Sequence, residues 1–260
     1  MGKLVGVELR KMSRCRLVWG VALFILGTSS LTAFKDTYDY AAYTRYANFE
    51  YMMYTHATAR VFSALTILVS AYVGAEDFAM RTVQNVLSVG IGRVKYYVSK
   101  LLAQMLFIFG LYGAGAALYV GSRVILTGGL NRAMPAGEYL VIFLVTFLQL
   151  GAYVAMADLV CVLIRNQAAA MAVGETWLYL SLVLRVFWME GTPLTGIVAY
   201  EPLTVLERFA DDYVGTGKVF SAEFFLCGLC ALCIIILSSA LGCFWFVYKD
   251  VQQAANPMVR

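Results

Sequence analysis

Charge is what this sequence has least of. Only 14% of its 260 residues are Asp, Glu, Lys or Arg, against about 25% in a soluble domain. A chain that is 61% hydrophobic cannot cover itself with polar surface, so lipid must serve as part of its solvent. Histidine is scarcer still, since His56 stands alone. One His excludes a His-Glu-x-x-His metal site and a Ser/His/Asp set, and His56 reads as a solvated loop side chain. No phosphate-binding G-x-x-x-x-G-K-[ST] loop exists. The nearest string, Gly215-Thr216-Gly217-Lys218, lacks both the upstream Gly and the following Ser or Thr. Gly90-Ile91-Gly92 lacks the third Gly of a dinucleotide fingerprint. The net charge of +4 forms no basic stripe of the kind that binds nucleic acid. The sequence therefore predicts no catalytic residue, no metal ligand and no bound cofactor. Energy must come from a gradient or from a partner protein.

What is present is a set of uncharged runs. Leu17–Phe34, Val61–Ala75, Leu101–Ser122, Tyr139–Ile164, Asn166–Leu184 and Phe224–Tyr248 give six spans of roughly 20 residues, matched to a hydrocarbon core of about 30 Å. The expected fold class is an all-α integral membrane protein, residues 1–260 forming one domain. Arg14 and Arg16 precede the first run, as in a signal peptide, but Thr32-Ala33-Phe34-Lys35 offers no small-x-small cleavage site. The run reads as a retained signal anchor. The myristoylation pattern after Met1-Gly2 fails at Gly6. Cys227, Cys230 and Cys233 are spaced like metal ligands but lie inside the last uncharged run, where they read as small apolar residues.

Lys3, Arg10, Lys11, Arg14 and Arg16 cluster before the first span. By the positive-inside rule the N-terminus is cytoplasmic, and six spans return the C-terminus to the same side. Residues 35–60, rich in Tyr, and 189–223, with Pro193, Pro202 and a cluster of acids, become extracytoplasmic loops. Asp158 and Glu175 interrupt the fourth and fifth spans, and buried acids default to a functional reading. The alternative is a neutral or paired interhelical hydrogen bond. Depth alone ranks Glu175 above Asp158. Gly113, Ala117 and Gly121 make a small-residue stripe for close helix packing, within or between subunits.

The most informative segment is 76–100. Val83, Val86 and Leu87 recur at helical spacing, Ile91 continues the stripe, and Arg81, Gln84, Asn85 and Ser88 face away from it. This predicts a short amphipathic helix at the cytoplasmic surface, either a plain surface helix or a docking element. Gly90 and Gly92 then let the chain turn.

Glu76, Arg81-Thr82, Asn85, Leu87-Ser88, Ile91, Arg93, Tyr97, Ser99 and Lys100 together resemble the first cytoplasmic loop of type 2 ABC exporter permeases. Arg81 stands where Gly is common and Gly92 where Ser is common. Leu4–Met12, within an N-terminal amphipathic helix over residues 1–16, resembles the family's Glu-Leu-x-Lys surface helix, with Val5, Leu9 and Met12 on one face. Phe244–Asp250 resembles its aromatic-basic-Asp ending. Within the class the pattern is most similar to permeases of bacitracin and lantibiotic self-protection exporters.

The resemblance implies a permease that couples ATP hydrolysis in a separate ATPase subunit to export of an amphipathic substrate, such as an antimicrobial peptide. It implies a second permease subunit, identical or different, and ATP and Mg held by the partner. Glu76, Arg81, Gln84, Asn85, Ser88 and Arg93 would meet the ATPase, with Val83, Val86 and Leu87 as the anchor. Two other readings remain open: a gradient-driven transporter or channel using Asp158 and Glu175, and a non-transporting anchor or sensor subunit.

Overall fold

The computed structural model describes residues 1–39, 56–80, 82–127, 136–187, 199–216 and 218–255. These residues are helical almost throughout. In chain order the helices are α1 (Gly2–Arg14), α2 (Arg16–Asp39), α3 (His56–Ala79), α4 (Thr82–Ser88), α5 (Arg93–Thr127), α6 (Ala136–Ile164), α7 (Gln167–Phe187), α8 (Pro202–Thr216) and α9 (Ala222–Ala255). Among the described residues, four stretches are long and apolar enough to cross a membrane: Val61–Phe78, Arg93–Leu126, Leu140–Ile164 and Ala222–Tyr248. The bent pair α1–α2 makes a fifth when the two helices are counted as one span.

α6 is the hub, packing against α9, α3, α7 and α5, while α5 also carries α2 and α1. Hub status follows from sequence: α6 offers small or slender residues, Gly151, Ala152, Val154, Ala155 and Ala157, all buried. Small residues let helix backbones approach closely where lipid supplies no hydrophobic drive. The closest approaches fall at three glycines. A Cβ on Gly74 (α3) would stand 2.8 Å from Cys161 Sγ on α6, and one on Gly174 (α7) 2.5 Å from Ile67 Cγ2 on α3. One on Gly242 (α9) would collide with the Tyr97 ring of α5. Within this subunit the Gly113, Ala117 and Gly121 stripe makes no close approach: Gly113 meets Phe143 at ordinary distance, Ala117 is exposed, and nothing lies near Gly121.

α1 bends away from α2 by 76° at Cys15, and Trp19 Nε1 donates to the Ser13 carbonyl at 2.6 Å across the bend. Met12 is buried, Val5 and Leu9 half-buried, and α1 lies against α5. α6 and α7 form a tight antiparallel hairpin. Arg165 takes a left-handed φ of 55°, and Asn166 Oδ1 accepts from the Ala169 amide at 3.1 Å as the N-cap of α7.

The segment 189–223 departs from the expected loop. Its described residues include α8, whose Leu203, Val205, Leu206 and Phe209 are buried against α9, α6 and α3. The Tyr153 hydroxyl meets the Glu201 carboxylate and accepts from the Leu203 amide at 3.1 Å. Tyr153 lies eleven residues before the end of α6, about 17 Å along the helix. The N-terminus of α8 is thus lodged at mid-height in the bundle. Glu201 caps it, accepting from the Thr204 amide at 2.9 Å. A run of acids and prolines reads as solvated loop; here Glu201 and Glu207 are buried instead.

Candidate functional site

At the opposite end from α8, the chain between α3 and α5 builds a compact polar and aromatic assembly. α3 runs on through Glu76 and Asp77 to Ala79, so these two acids end a long helix rather than begin the surface one. After the break comes α4, of seven residues. Gly90, with φ of 88°, ends the turn as its amide donates to the Leu87 carbonyl at 3.0 Å.

The apolar face of α4 rests on protein. Val83 is buried with Tyr96 and Tyr97 of α5, Val162 of α6 and Phe246 of α9, and Val86, Leu87 and Ile91 pack against the same cluster. Phe246 is its centre, with ring centroids 6.1 Å from Phe78, 6.1 Å from Tyr96 and 6.2 Å from Tyr97. Such aromatic pairs add about 0.5–1.5 kcal/mol each beyond their area. Arg93 Nη1 donates to the Val247 carbonyl at 3.3 Å, tying the start of α5 to α9. Arg165 lies over the Phe78 ring, 5.6 Å from its centroid.

Beneath α4 sits Asp77, which sequence reasoning passed over in favour of Glu76. Its Oδ1 accepts from Lys11 Nζ of α1 at 2.9 Å and from Thr82 Oγ1 of α4 at 2.8 Å. Its Oδ2 accepts from Lys100 Nζ of α5 at 2.7 Å and from the Tyr96 hydroxyl. One carboxylate therefore joins four helices. Lys11 also pairs with Glu8 at 2.9 Å. Half-burial alone would lower the Lys11 pKa, but its two carboxylates outweigh this and hold the ammonium above its ordinary value. A signal for Asp77 was present: it continues the row Ser70–Val73 at helical spacing, and both of those residues are buried.

The predicted site residues divide. Gln84 and Ser88 are exposed on α4. Arg81 and the Asn85 side chain lie outside the described residues. Glu76 is half-buried within α3, and Arg93 points its guanidinium inward to α9 rather than outward. Asp158 is buried and accepts from Gln104 Nε2 of α5 at 3.3 Å. Glu175 is half-buried on α7 at the edge of the bundle. Depth along the span favours Glu175, whereas enclosure by protein favours Asp158. No group of His, Cys, Asp and Glu among the described residues could hold a metal ion.

A bundle of apolar helices whose one short polar-faced helix is braced from four sides has the makings of a mechanical relay. A family model described as ABC-2 family transporter protein matches residues 4–183, more than half of the chain. The chain belongs to the ABC-2 family. No curated protein matches it. The match spans α1 to α7 and so includes α4 and the Asp77 assembly. As an ABC-2 family member the chain is the membrane permease component of an ABC transporter, in which ATP hydrolysis belongs to an ATPase partner.

Proposed function

We propose that this ABC-2 chain is the permease subunit of an ATP-driven exporter, and that α4 is where its ATPase docks. The carrying observation is the two-sidedness of α4: Val83 sits in the Phe246 cluster while Gln84 and Ser88 face out. A helix seated on protein and polar on the far side transmits force in a way that a helix floating on lipid does not. Glu76, Arg81, Gln84, Asn85, Ser88 and Arg93 form the contact region, with Arg93 contributing by fixing α5 against α9. ATP and Mg bind the partner subunit.

The membrane arrangement in this reading has six spans, α2, α3, α5, α6, α7 and α9, with both termini cytoplasmic. Support comes from charge placement, since Lys11, Arg93, Lys95, Lys100 and Arg165 all gather at the α4 end. Two permease subunits pair in the cytoplasmic membrane. The resemblance to bacitracin and lantibiotic self-protection permeases supports an amphipathic substrate, peptide antibiotics among them, moved outward or out of the membrane.

The test is copurification of an ATPase subunit, followed by replacement of Arg81 and Gln84 together with Glu. This reverses charge on the contact face and leaves Val83, Val86 and Leu87 in place. It should leave insertion intact and weaken ATPase binding by about 1–3 kcal/mol, the cost of an interfacial group left unpaired. The same change at Lys35 and Arg45 is the control. Full ATPase binding and full transport by the Arg81/Gln84 variant would remove α4 from the interface. Uncoupler-sensitive transport by the isolated chain would favour a gradient-driven transporter.

A further inference from the structure

Two buried carboxylates flank a single buried ammonium where α3, α5 and α6 cross. Lys100, Asp77 and Asp158 are 5%, 4% and 3% exposed, so each charge depends on protein partners rather than water. Lys100 Nζ stands 2.7 Å from Asp77 Oδ2 and 2.9 Å from the Gly74 carbonyl oxygen. Gln104, the donor to Asp158, follows Lys100 by one turn on the same face of α5. The two acids therefore meet α5 on successive turns. Gly74 brings them together. Its carbonyl accepts from Lys100, and the absence of its side chain admits Asp158, whose Oδ1 would lie 3.2 Å from a Cβ there.

The partners are unequally shared. Asp77 takes donors from Lys11, Thr82 and Tyr96 besides Lys100. Asp158 holds the Gln104 amide at the long distance of 3.3 Å, has the Tyr97 hydroxyl beside it and lies within electrostatic range of Lys100, with no cation paired to it as closely as Lys100 is to Asp77. If Lys100 moved, Asp77 would keep three donors and Asp158 would gain a cation. Buried ion pairs are best attested as devices that select between arrangements rather than as sources of stability, and packed interfaces with two arrangements convert small shifts into large ones.

We propose that Lys100 is a two-position switch, paired with Asp77 in this conformation and exchanging to Asp158 when α4 and the end of α3 are displaced. The exchange carries the ammonium one turn further into the bundle, past Gly74, and shifts the α3–α6 crossing. Lys100 and Asp158 are positioning residues, since they act through the helix crossing. The link to ATP-driven motion rests on the docking reading of α4, whereas the exchange itself does not.

The experiment is a double-mutant cycle on the full chain in detergent, read by thermal unfolding. Asp77→Asn and Asp158→Asn each leave Lys100 one carboxylate. The double variant leaves none, and its midpoint should fall more than about 4 °C beyond the sum of the single shifts. Lys100→Met in the double background should recover that excess by removing the unpaired charge. Additive shifts overturn the exchange. With the ATPase subunit present, Asp158→Asn keeps the Asp77 pair and should retain ATP hydrolysis while transport falls at least about tenfold. Asp158→Glu should restore it. A merely structural Asp158 would lower hydrolysis and transport together, which also overturns the proposal. If no ATPase pairs with the chain, the docking reading fails and the cycle alone decides the exchange.

Discussion

At the scale of single residues, neighbours in sequence have opposite fates. Glu76 and Asp77 sit 100° apart on α3, and the helix turns only the second into the bundle. Removing Asp77 takes the acceptor from the Thr82 and Tyr96 hydroxyls, breaks the Lys11 pair and leaves Lys100, 5% exposed, with Asp158 as its one carboxylate. Asp77→Ala should therefore cost about 3–5 kcal/mol, the penalty for breaking a buried pair from one side. Glu76→Ala should stay within about 0.5 kcal/mol, as for a position with no such dependence. Thermal unfolding of the two variants side by side checks this, and equal shifts would show that Asp77 is no hub. Asp158 and Glu175 were legible in the sequence as acids within otherwise uncharged runs, whereas Asp77, just past the end of its run, was not. Their partners were not, because Gln104, Tyr96 and Tyr97 look like ordinary span residues until α5 is laid against α3 and α6.

At the scale of elements, α4 is too short to be stable alone, since isolated helices under about 12 residues are marginal in water. Its order is borrowed from the Phe246 cluster. Phe246→Ala should remove about 3–5 kcal/mol of packing and free α4 before the long helices. Hydrogen exchange would show this as faster amides over Thr82–Ser88 with α6 unchanged; equal acceleration of both would mean that α4 unfolds only with the whole bundle. The amphipathic periods of α4 and α1 were readable from spacing, whereas the 76° bend after α1 was not. What the apolar face meets was not: a stripe of Val and Leu suits lipid and a protein groove equally well. α8 was missed for a related reason. Pro202 is a normal first residue of a helix, but among Glu201, Glu207, Asp211 and Asp212 it looks like loop punctuation.

For the whole molecule, the apolar runs anticipate most of the long helices, since length and hydropathy govern both. Orientation follows from a different quantity, the placement of Lys and Arg. Single cysteines in a background with the native ones replaced by Ala test it. Gly92→Cys, exposed near α4, should resist a membrane-impermeant maleimide applied to intact cells, and Tyr200→Cys, 54% exposed before α8, should react. The reverse pattern would invert the proposed topology. The lodging of α8 also bears on biogenesis. Its seat is shared among α3, α6 and α9, with Phe209 against Phe224 at 5.8 Å between centroids. Synthesis delivers α9 after α8, so α8 emerges before one wall of its berth exists. Until α9 arrives, Phe209 has no Phe224 to rest on. The part of the bundle around α8 can therefore close only when α9 is in place, and quality control of the newly made chain has a natural checkpoint there.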